Sequence, residues 1–466
     1  MKNFNEFNEE NYKIIKLIIK DESRLLFGDK ITEEYCIDEL NRIKGKPSIV
    51  VKVKSADEVS KLISYANANN IAVTPRGAGT GLVGGAIAIY GGIVIDMTLM
   101  NNIIELDDEN LTLTVEPGVR LNEIYKYVEE RGFFYPPDPG EKTATIGGNI
   151  ATNAGGMRCV KYGVTRDYVR GLEFVDAKGE VLTVGGKVVK NSSGYSLSNL
   201  FVGSEGTLGV VTRAILKLIP LPKEVMSLVA SFDNLENAIG AVPKIIKSKI
   251  APTAIEFAER EIIQDSEEFL GNKFPDKTGE AYLILKVDGN SKETIKSELR
   301  KVAQAAIDAG AKKVLIADTK ERQDVLWKTR GDFLKAIKAS TTEMDEVDIV
   351  VPRNRIADFV KYTHKLREEH KIRIKSFGHA GDGNLHIYIL RDDLEKDIFE
   401  EKLKTVMDLM YKRAKEIGGK VSGEHAIGVA KREYLIDLEE KEVLEYMKIT
   451  KGIHDVNGIM NPGKIF

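Results

Sequence analysis

The sequence predicts an α+β fold divided among several domains, and three observations carry that prediction. Short β-rich runs alternate with helical periodicities as far as residue 222, glycine is dense over the same stretch, and longer helices separated by single strands follow it. A chain of 466 residues also exceeds what one ordinary hydrophobic core organises.

The elements are expected in this order. Residues 12–27 have lysines at 13, 16 and 20 interrupting an apolar run, which reads as an amphipathic helix within an N-terminal helical segment, 1–45. Residues 46–222 form an α+β domain with strands at 48–53, 71–75, 93–96 and 111–115 and helices at 56–69 and 121–132. The texture changes near Pro220 and Pro222. From 223 to 415, helices at 294–309, 356–369 and 395–417 separate strands at 281–287, 313–317 and 385–390, the pattern of a second sheet with helices over one face. Residues 416–466 are a polar, helical C-terminal segment ending in Asn461-Pro462-Gly463-Lys464.

Composition narrows function by exclusion. The 68 basic and 71 acidic side chains nearly cancel, so no large field exists for nucleic acid, and no nucleic-acid partner is expected. Cys36 and Cys159 are the only cysteines, too few for a disulfide framework or a four-thiolate cluster, so any iron-sulfur relay belongs to a partner. No stretch approaches the roughly 18 to 20 apolar residues of a membrane span. The expectation is a soluble cytoplasmic protein with no transmembrane segment.

The glycine loops carry the first chemistry. Residues 75–85 read P-R-G-A-G-T-G-L-V-G-G after a short strand, and Gly79, Gly81 and Gly84 satisfy G-x-G-x-x-G, with Asp96 ending an apolar run beyond. An NAD-binding βαβ unit needs a crossover helix behind such a loop. Only residues 86–90 separate Gly84-Gly85 from Gly91-Gly92, so no helix fits and an NAD-linked dehydrogenase is disfavoured. The alternative is a nest in which backbone N–H groups converge on a pyrophosphate, with Arg76 adding charge. A second loop runs P-P-D-P at 136–139, then T-A-T-I-G-G-N-I-A-T-N-A-G-G at 143–156, then Lys161-Tyr162-Gly163. A third, G-Y-S-L-S-N-L-F-V-G-S-E-G-T-L-G-V-V-T, occupies 194–212. One such loop is as readily a tight turn; three within so short a distance suit close backbone approach to a flat ring and phosphates.

Together P-R-G-A-G-T-G-L-x-G-G, P-D-P, T-I-G-G-N-I-A-T-N-A-G-G, V-K-Y-G and V-G-S-E-G-T-L-G-V resemble the FAD-binding domain of the vanillyl-alcohol-oxidase superfamily. They are most similar to its glycolate oxidase and D-lactate dehydrogenase branch, in order from 46 to 466. The resemblance implies a two-subdomain FAD-binding domain at 46–222, a cap domain at 223–415 with an antiparallel sheet covered by helices, and a C-terminal segment returning to the flavin. It implies that Arg76, Gly77, Ala78, Gly79, Thr80 and Gly81, with Thr145, Gly147, Gly148 and Asn149, hold the FAD pyrophosphate. Asn153, Gly155, Gly156, Tyr162 and Gly163 would lie along the flavin and ribityl chain, and Glu205, Gly206, Gly209 and Val211 toward the adenosine end. Pro137, Asp138 and Asn461 complete the cofactor residues. Relatives that bond FAD covalently use a histidine in the first loop where this chain has Thr80, so non-covalent FAD is expected.

Three of the six histidines fall in two short motifs. F-G-H-A-G-D-G-N-L-H places His379 and His386 at the ends of a connection between two strands, so a hairpin would bring the imidazoles together across its mouth. V-S-G-E-H-A-I-G supplies Glu424 and His425. Either histidine alone is more readily structural, but two imidazoles and a carboxylate can hold Zn, Mn, Fe or Co with positions left open. By resemblance the metal ligands are His379, His386 and Glu424, and the base is His425. The chemistry this set serves is oxidation of R-CH(OH)-COO⁻: a cation orients the substrate and lowers its hydroxyl pKa, a histidine accepts the proton, and FAD takes the electrons. Arg330, in D-V-L-W-K-T-R-G-D-F, matches the family's W-x-x-R and is the candidate clamp for the substrate carboxylate. The acidic run 343–348, with Glu346 and Asp348, has no assigned role.

The expected protein is a flavin-dependent D-2-hydroxy-acid dehydrogenase acting on D-lactate or, next, glycolate. By resemblance its electrons pass to an electron-transferring flavoprotein or an iron-sulfur subunit, the former favoured. A catalytically silent FAD-binding subunit of an oxidase complex is the alternative, disfavoured because such a subunit has no need of His379, His386, Glu424 and His425 together.

Overall fold

The computed structural model describes residues 4–466. The chain divides into two compact units, one made of residues up to Ala154, Val164–Leu221 and His425–Phe466, the other of Gly155–Gly163 and Pro222–Glu424.

In the first unit, strands Ile49–Lys52, Ile93–Asp96 and Val73–Arg76 run parallel, and Leu25–Phe27 adds an antiparallel edge. The helix expected over 12–27 is shorter and earlier, Glu9–Ile18. The Asp21 carboxylate accepts from the Ser23 backbone N–H, a local bond that competes with helical pairing, and the apolar Leu25–Phe27 then joins the sheet. No helix lies between Val73–Arg76 and Ile93–Asp96, as the spacing of the glycines predicts.

Ser55 starts helix Ala56–Ala68 by accepting the Glu58 N–H at 3.3 Å. Val59, Leu62, Ile63 and Ala66, spaced at helical period, are buried in one cluster with Ile49, Val51, Ile93 and Ile95 of the parallel sheet. Val175 and Val210 bring a second sheet into that cluster, an antiparallel one in the order Ile103–Asp107, Thr112–Val115, Gly209–Lys217, Val169–Asp176, Val181–Gly185. Each such aliphatic side chain contributes about 1.5–3 kcal/mol by leaving water. After helices Arg432–Leu438 and Lys441–His454, the chain returns to the parallel sheet, where Asn461 N–H donates to Val73 C=O at 2.7 Å.

The second unit is built on a seven-stranded antiparallel sheet in the order Lys313–Ala317, Glu224–Phe232, Ala281–Gly289, Ala254–Glu259, Arg373–His379, Asn384–Leu390, Met344–Val350. Its register sets Glu256 opposite His379, Phe377 opposite His386, and His386 opposite Asp348. Because strand side chains alternate, one face collects Glu256, His379, His386, Tyr388, Glu346 and Asp348. The other collects buried Phe257, Ile374, Ile387, Ile389, Val347 and Ile349. Helices Leu235–Lys247, Lys292–Asp308, Ile356–His370 and Lys396–Glu416 form a layer against the sheet. Helices also cover the charged face, contrary to the expectation of one covered face. Arg330 of Lys320–Gly331 reaches Glu256, Asp265 of Arg260–Leu270 reaches Lys375, and Phe333 of Phe333–Ala339 meets Phe377. Glu256 and Asp348 are wholly buried, which an open polar face could not achieve. Among the described residues no helix is long and apolar enough to cross a membrane.

Candidate active site

The hairpin Arg373–His379/Asn384–Leu390 does bring its two histidines together, diagonally rather than directly across. His379 pairs with Asn384, and His386 with Phe377. The two Nε2 atoms stand 3.3 Å apart, and Glu424 Oε1 lies 3.1 Å from His386 Nε2 and 3.5 Å from His379 Nε2. A tetrahedral cation with bonds of about 2.0–2.1 Å sets its ligand atoms about 3.3–3.4 Å apart. The three observed separations bracket that edge length, so this donor set fits a divalent cation of the zinc type.

The surroundings hold the set in that geometry. His379 Nδ1 meets both oxygens of Glu256, at 2.8 and 2.9 Å, and Glu346 stands 3.6 Å from His386 Nδ1 while accepting the Tyr388 hydroxyl at 2.8 Å. Asp348, 0% exposed, fixes the Glu424 segment. Its Oδ2 accepts from Ser422 Oγ at 2.7 Å and from the Gly423 and Glu424 N–H groups at 3.2 Å. Its Oδ1 accepts from Asn384 Nδ2 at 2.6 Å. A Cβ at residue 423 would sit 2.1 Å from Asn384 Nδ2 and would displace that amide from Asp348.

Burial alone would push both histidines toward the neutral form. For His379 the Glu256 and then Glu424 carboxylates outweigh it and hold the pKa well above the usual value. For His386, Glu346 and Glu424 raise it likewise. Burial raises Glu256, yet His379 and Arg330 outweigh that and keep it below the ordinary range. Arg330 donates from Nε at 2.8 Å and Nη2 at 2.5 Å to one Glu256 oxygen, with its guanidinium 4.7 Å from the Phe377 ring centre.

The first unit brings two of the glycine loops together. A Cβ on Gly77 would lie 2.1 Å from Thr145 Oγ1, so the 76–81 loop and the start of helix Ile146–Thr152 touch at van der Waals range. In the same unit, Arg76 Nη1, Thr145 Oγ1, Asn149 Nδ2 and Asn461 Oδ1 are buried without a hydrogen-bond partner among the described residues. Four unsatisfied polar groups in one unit are a cost that a polar ligand removes. Arg76 is held by Glu34 C=O at 2.7 Å.

Comparison with known proteins decides the family. Residues 47–185 match the family "FAD binding domain", and 221–465 match "FAD linked oxidases, C-terminal domain". The chain belongs to the FAD-linked oxidases. It is 47% identical to a D-lactate dehydrogenase of Anaerostipes hadrus, covering 95% of this chain and 94% of that protein. It is 39% identical to the glycolate oxidase subunit GlcD of Bacillus subtilis strain 168, covering 93% and 92%. The solved p-cresol methylhydroxylase shares its fold with a TM-score of 0.80 at 15% identity, over 100% of this chain and 98% of that one. The fold of this FAD-linked oxidase is thus the expected vanillyl-alcohol-oxidase type, an FAD-binding domain joined to a helix-covered antiparallel sheet.

Other expected site residues of this FAD-linked oxidase have the following settings. Glu205 accepts the N–H groups of Ile427 and Gly428, and burial raises its pKa against those bonds. Asn461 donates to the C=O groups of Gly85 and Glu205. Asp138 pairs with Lys142, the Pro137 C=O accepts from Tyr125, and Asn153 accepts from the Arg166 N–H. Gly206 precedes strand Gly209–Lys217, and Gly209 and Val211 lie within it. Gly155, Gly156, Tyr162 and Gly163 belong to the second unit, where Tyr162 donates to Asp288 at 2.9 Å. His425 follows Glu424 in the chain and is half-buried. Sequence reasoning missed Glu256, Asn384 and Tyr388 and left Glu346 and Asp348 unassigned. The available signal was a carboxylate at alternate positions of otherwise apolar strands.

Proposed function

We propose that this chain is an FAD-dependent dehydrogenase of small D-2-hydroxy acids, D-lactate first and glycolate next, with a divalent cation at His379, His386 and Glu424. The observation that carries the reading is the convergence of two imidazole nitrogens and a carboxylate oxygen at tetrahedral spacing. A silent FAD-binding subunit has no use for that donor set. The names of the 47% and 39% identical relatives support the substrate class.

Bound at these sites, the cation (zinc, manganese or iron) supplies positive charge for the substrate's hydroxyl and carboxylate oxygens, and the non-covalent FAD supplies the two-electron acceptor. The chain's own residues do the rest. Glu424, His379 and His386 orient the cation. Arg330 has two of its five N–H donors on Glu256, and the others are assigned to the substrate carboxylate. His425 is assigned the hydroxyl proton, a role suited to an imidazole near neutrality. The FAD phosphates are assigned to Arg76, the 77–81 loop, Thr145, Gly147, Gly148 and Asn149, with the unsatisfied side-chain groups of Arg76, Thr145 and Asn149 supplying bonds. Electrons leave to a separate protein, an electron-transferring flavoprotein or an iron-sulfur subunit, because two cysteines cannot build a cluster here.

The test is anaerobic mixing with 2-hydroxy acids of both hands while flavin absorbance is followed. Bleaching by D-lactate, lost on chelation with FAD retained and restored by added zinc or manganese, is expected. An unchanged flavin spectrum with every acid in metal-loaded protein would leave the silent-subunit reading.

A further inference from the structure

We infer that Glu256 is the positioning residue of the cation site, holding Nδ1 of His379 so that its Nε2 faces Glu424, with Glu346 as the more distant carboxylate on the Nδ1 side of His386. This rests on the metal reading above and assigns it two carboxylates that no sequence motif marks.

A neutral imidazole coordinates through one nitrogen and carries its proton on the other, so a ligand histidine needs an acceptor behind it. Behind His379 that acceptor is Glu256, at 2.8 and 2.9 Å from Nδ1 and 0% exposed. On the Nδ1 side of His386 the carboxylate is Glu346, 3.6 Å away and itself accepting from the Tyr388 hydroxyl. The two carboxylates lie on opposite sides of the histidine pair because their strands do: the sheet order runs Ala254–Glu259, Arg373–His379, Asn384–Leu390, Met344–Val350. Strand order and side-chain alternation therefore put acid, imidazole, imidazole and acid on one face of four adjacent strands, with Glu346 one pair along from His386, opposite Tyr388.

The arrangement is asymmetric. Glu256 makes hydrogen bonds of ordinary length and is gripped from behind by Arg330, whereas Glu346 lies beyond hydrogen-bond range of Nδ1. Glu256 should thus have the larger influence on cation affinity. Through Arg330 the same carboxylate also ties the first ligand histidine to the assigned substrate clamp.

The experiment uses the full FAD-loaded protein and Zn²⁺ alone as probe, with affinity read by competition against a chromophoric chelator. Outer-sphere partners of this kind change metal affinity about 10- to 100-fold. Glu256→Ala should weaken zinc binding within that range. Glu256→Gln keeps an acceptor and should recover part of the loss, and Glu346→Gln should lose less than Glu256→Ala. FAD content and melting temperature, measured on each variant, separate misfolding from mispositioning. Folded, FAD-loaded Glu256 variants that bind zinc as tightly as the parent would overturn the inference while leaving the metal site intact. A parent protein that binds no zinc would instead sink the metal reading itself.

Discussion

Replacing Asp348 tests how the Glu424 ligand is held. The carboxylate is wholly buried and collects four donors, three of them from residues 422–424. Hydrogen bonds to a charged group contribute about 1.5–3 kcal/mol each. The two backbone contacts at 3.2 Å belong at the lower end, and the 422–424 segment is exposed enough for water to replace part of the loss. Asp348→Ala should therefore cost roughly 2–4 kcal/mol of stability. It should also release the segment that presents Glu424, which we expect to weaken zinc binding at least tenfold, equivalent to about 1.4 kcal/mol. Asp348→Asn should cost less, since its side-chain oxygen can still accept from Ser422, Gly423 and Glu424 while only the Asn384 contact is lost. Thermal unfolding and chelator competition measure the two effects on one sample. An Asp348→Ala protein that loses the stability but keeps parental zinc affinity would refute the claim that this carboxylate places Glu424.

Gly77→Ala sets a Cβ 2.1 Å from Thr145 Oγ1 and should purify with at least tenfold less FAD; full yellow protein would argue against a cofactor cradle there. Zinc affinity should rise with pH: the carboxylates raise the proton affinity of His379 and His386, so protons compete with the cation until pH passes their elevated pKa values, and a flat profile in chelator titrations would remove both from the ligand set. The same shifts act on the metal-free protein with the opposite sign. Groups whose folded pKa is raised add stability below the unfolded value of about 6.5 and lose it as pH climbs through the folded one, so metal-free protein should melt lower at alkaline pH than His379→Gln does relative to its own neutral value. Lys464, pushed down to about 8 by burial against the opposing pull of Glu205, gives a separate check. Its unfolded form holds the proton longer, so stability should rise with pH between about 8 and 10.5, and that rise should vanish in Lys464→Met.

Much of the fold was legible because its elements carry local signals. Ile93–Asp96 and Lys313–Ala317 are bounded as their β-rich runs predict, and Ile356–His370 and Lys396–Glu416 as their periodicities do. The loops assigned to the cofactor are marked by glycine, and the His379, His386 and Glu424 cluster by paired motifs. The failures are equally physical. The Glu9–Ile18 helix ends at an extended Ile19, and Asp21 then caps a separate 3-10 turn at Glu22–Arg24, a break that apolar periodicity over 12–27 does not register.

Glu256, Glu346 and Asp348 were illegible for a different reason, which lies in how a sheet buried on both faces hides charge. A strand such as Met344–Val350, M-D-E-V-D-I-V, looks like a half-exposed strand whose acids face water. That inference requires knowing that one face is solvated, and here helices cover both. A wholly buried carboxylate is tolerable only when cations or donors meet it. Once Glu346 and Asp348 are buried on the face that carries His386, donors must reach them there: Tyr388 and Asn384 come from the neighbouring strand, and Ser422, Gly423 and Glu424 from a segment distant in sequence. The same logic applies to Glu256 in Ala254–Glu259, where Arg330 and His379 are the charged groups within reach. A carboxylate at period two inside an otherwise apolar strand is thus a statement about a partner. What the sequence withholds is the order of the strands, which decides who that partner is.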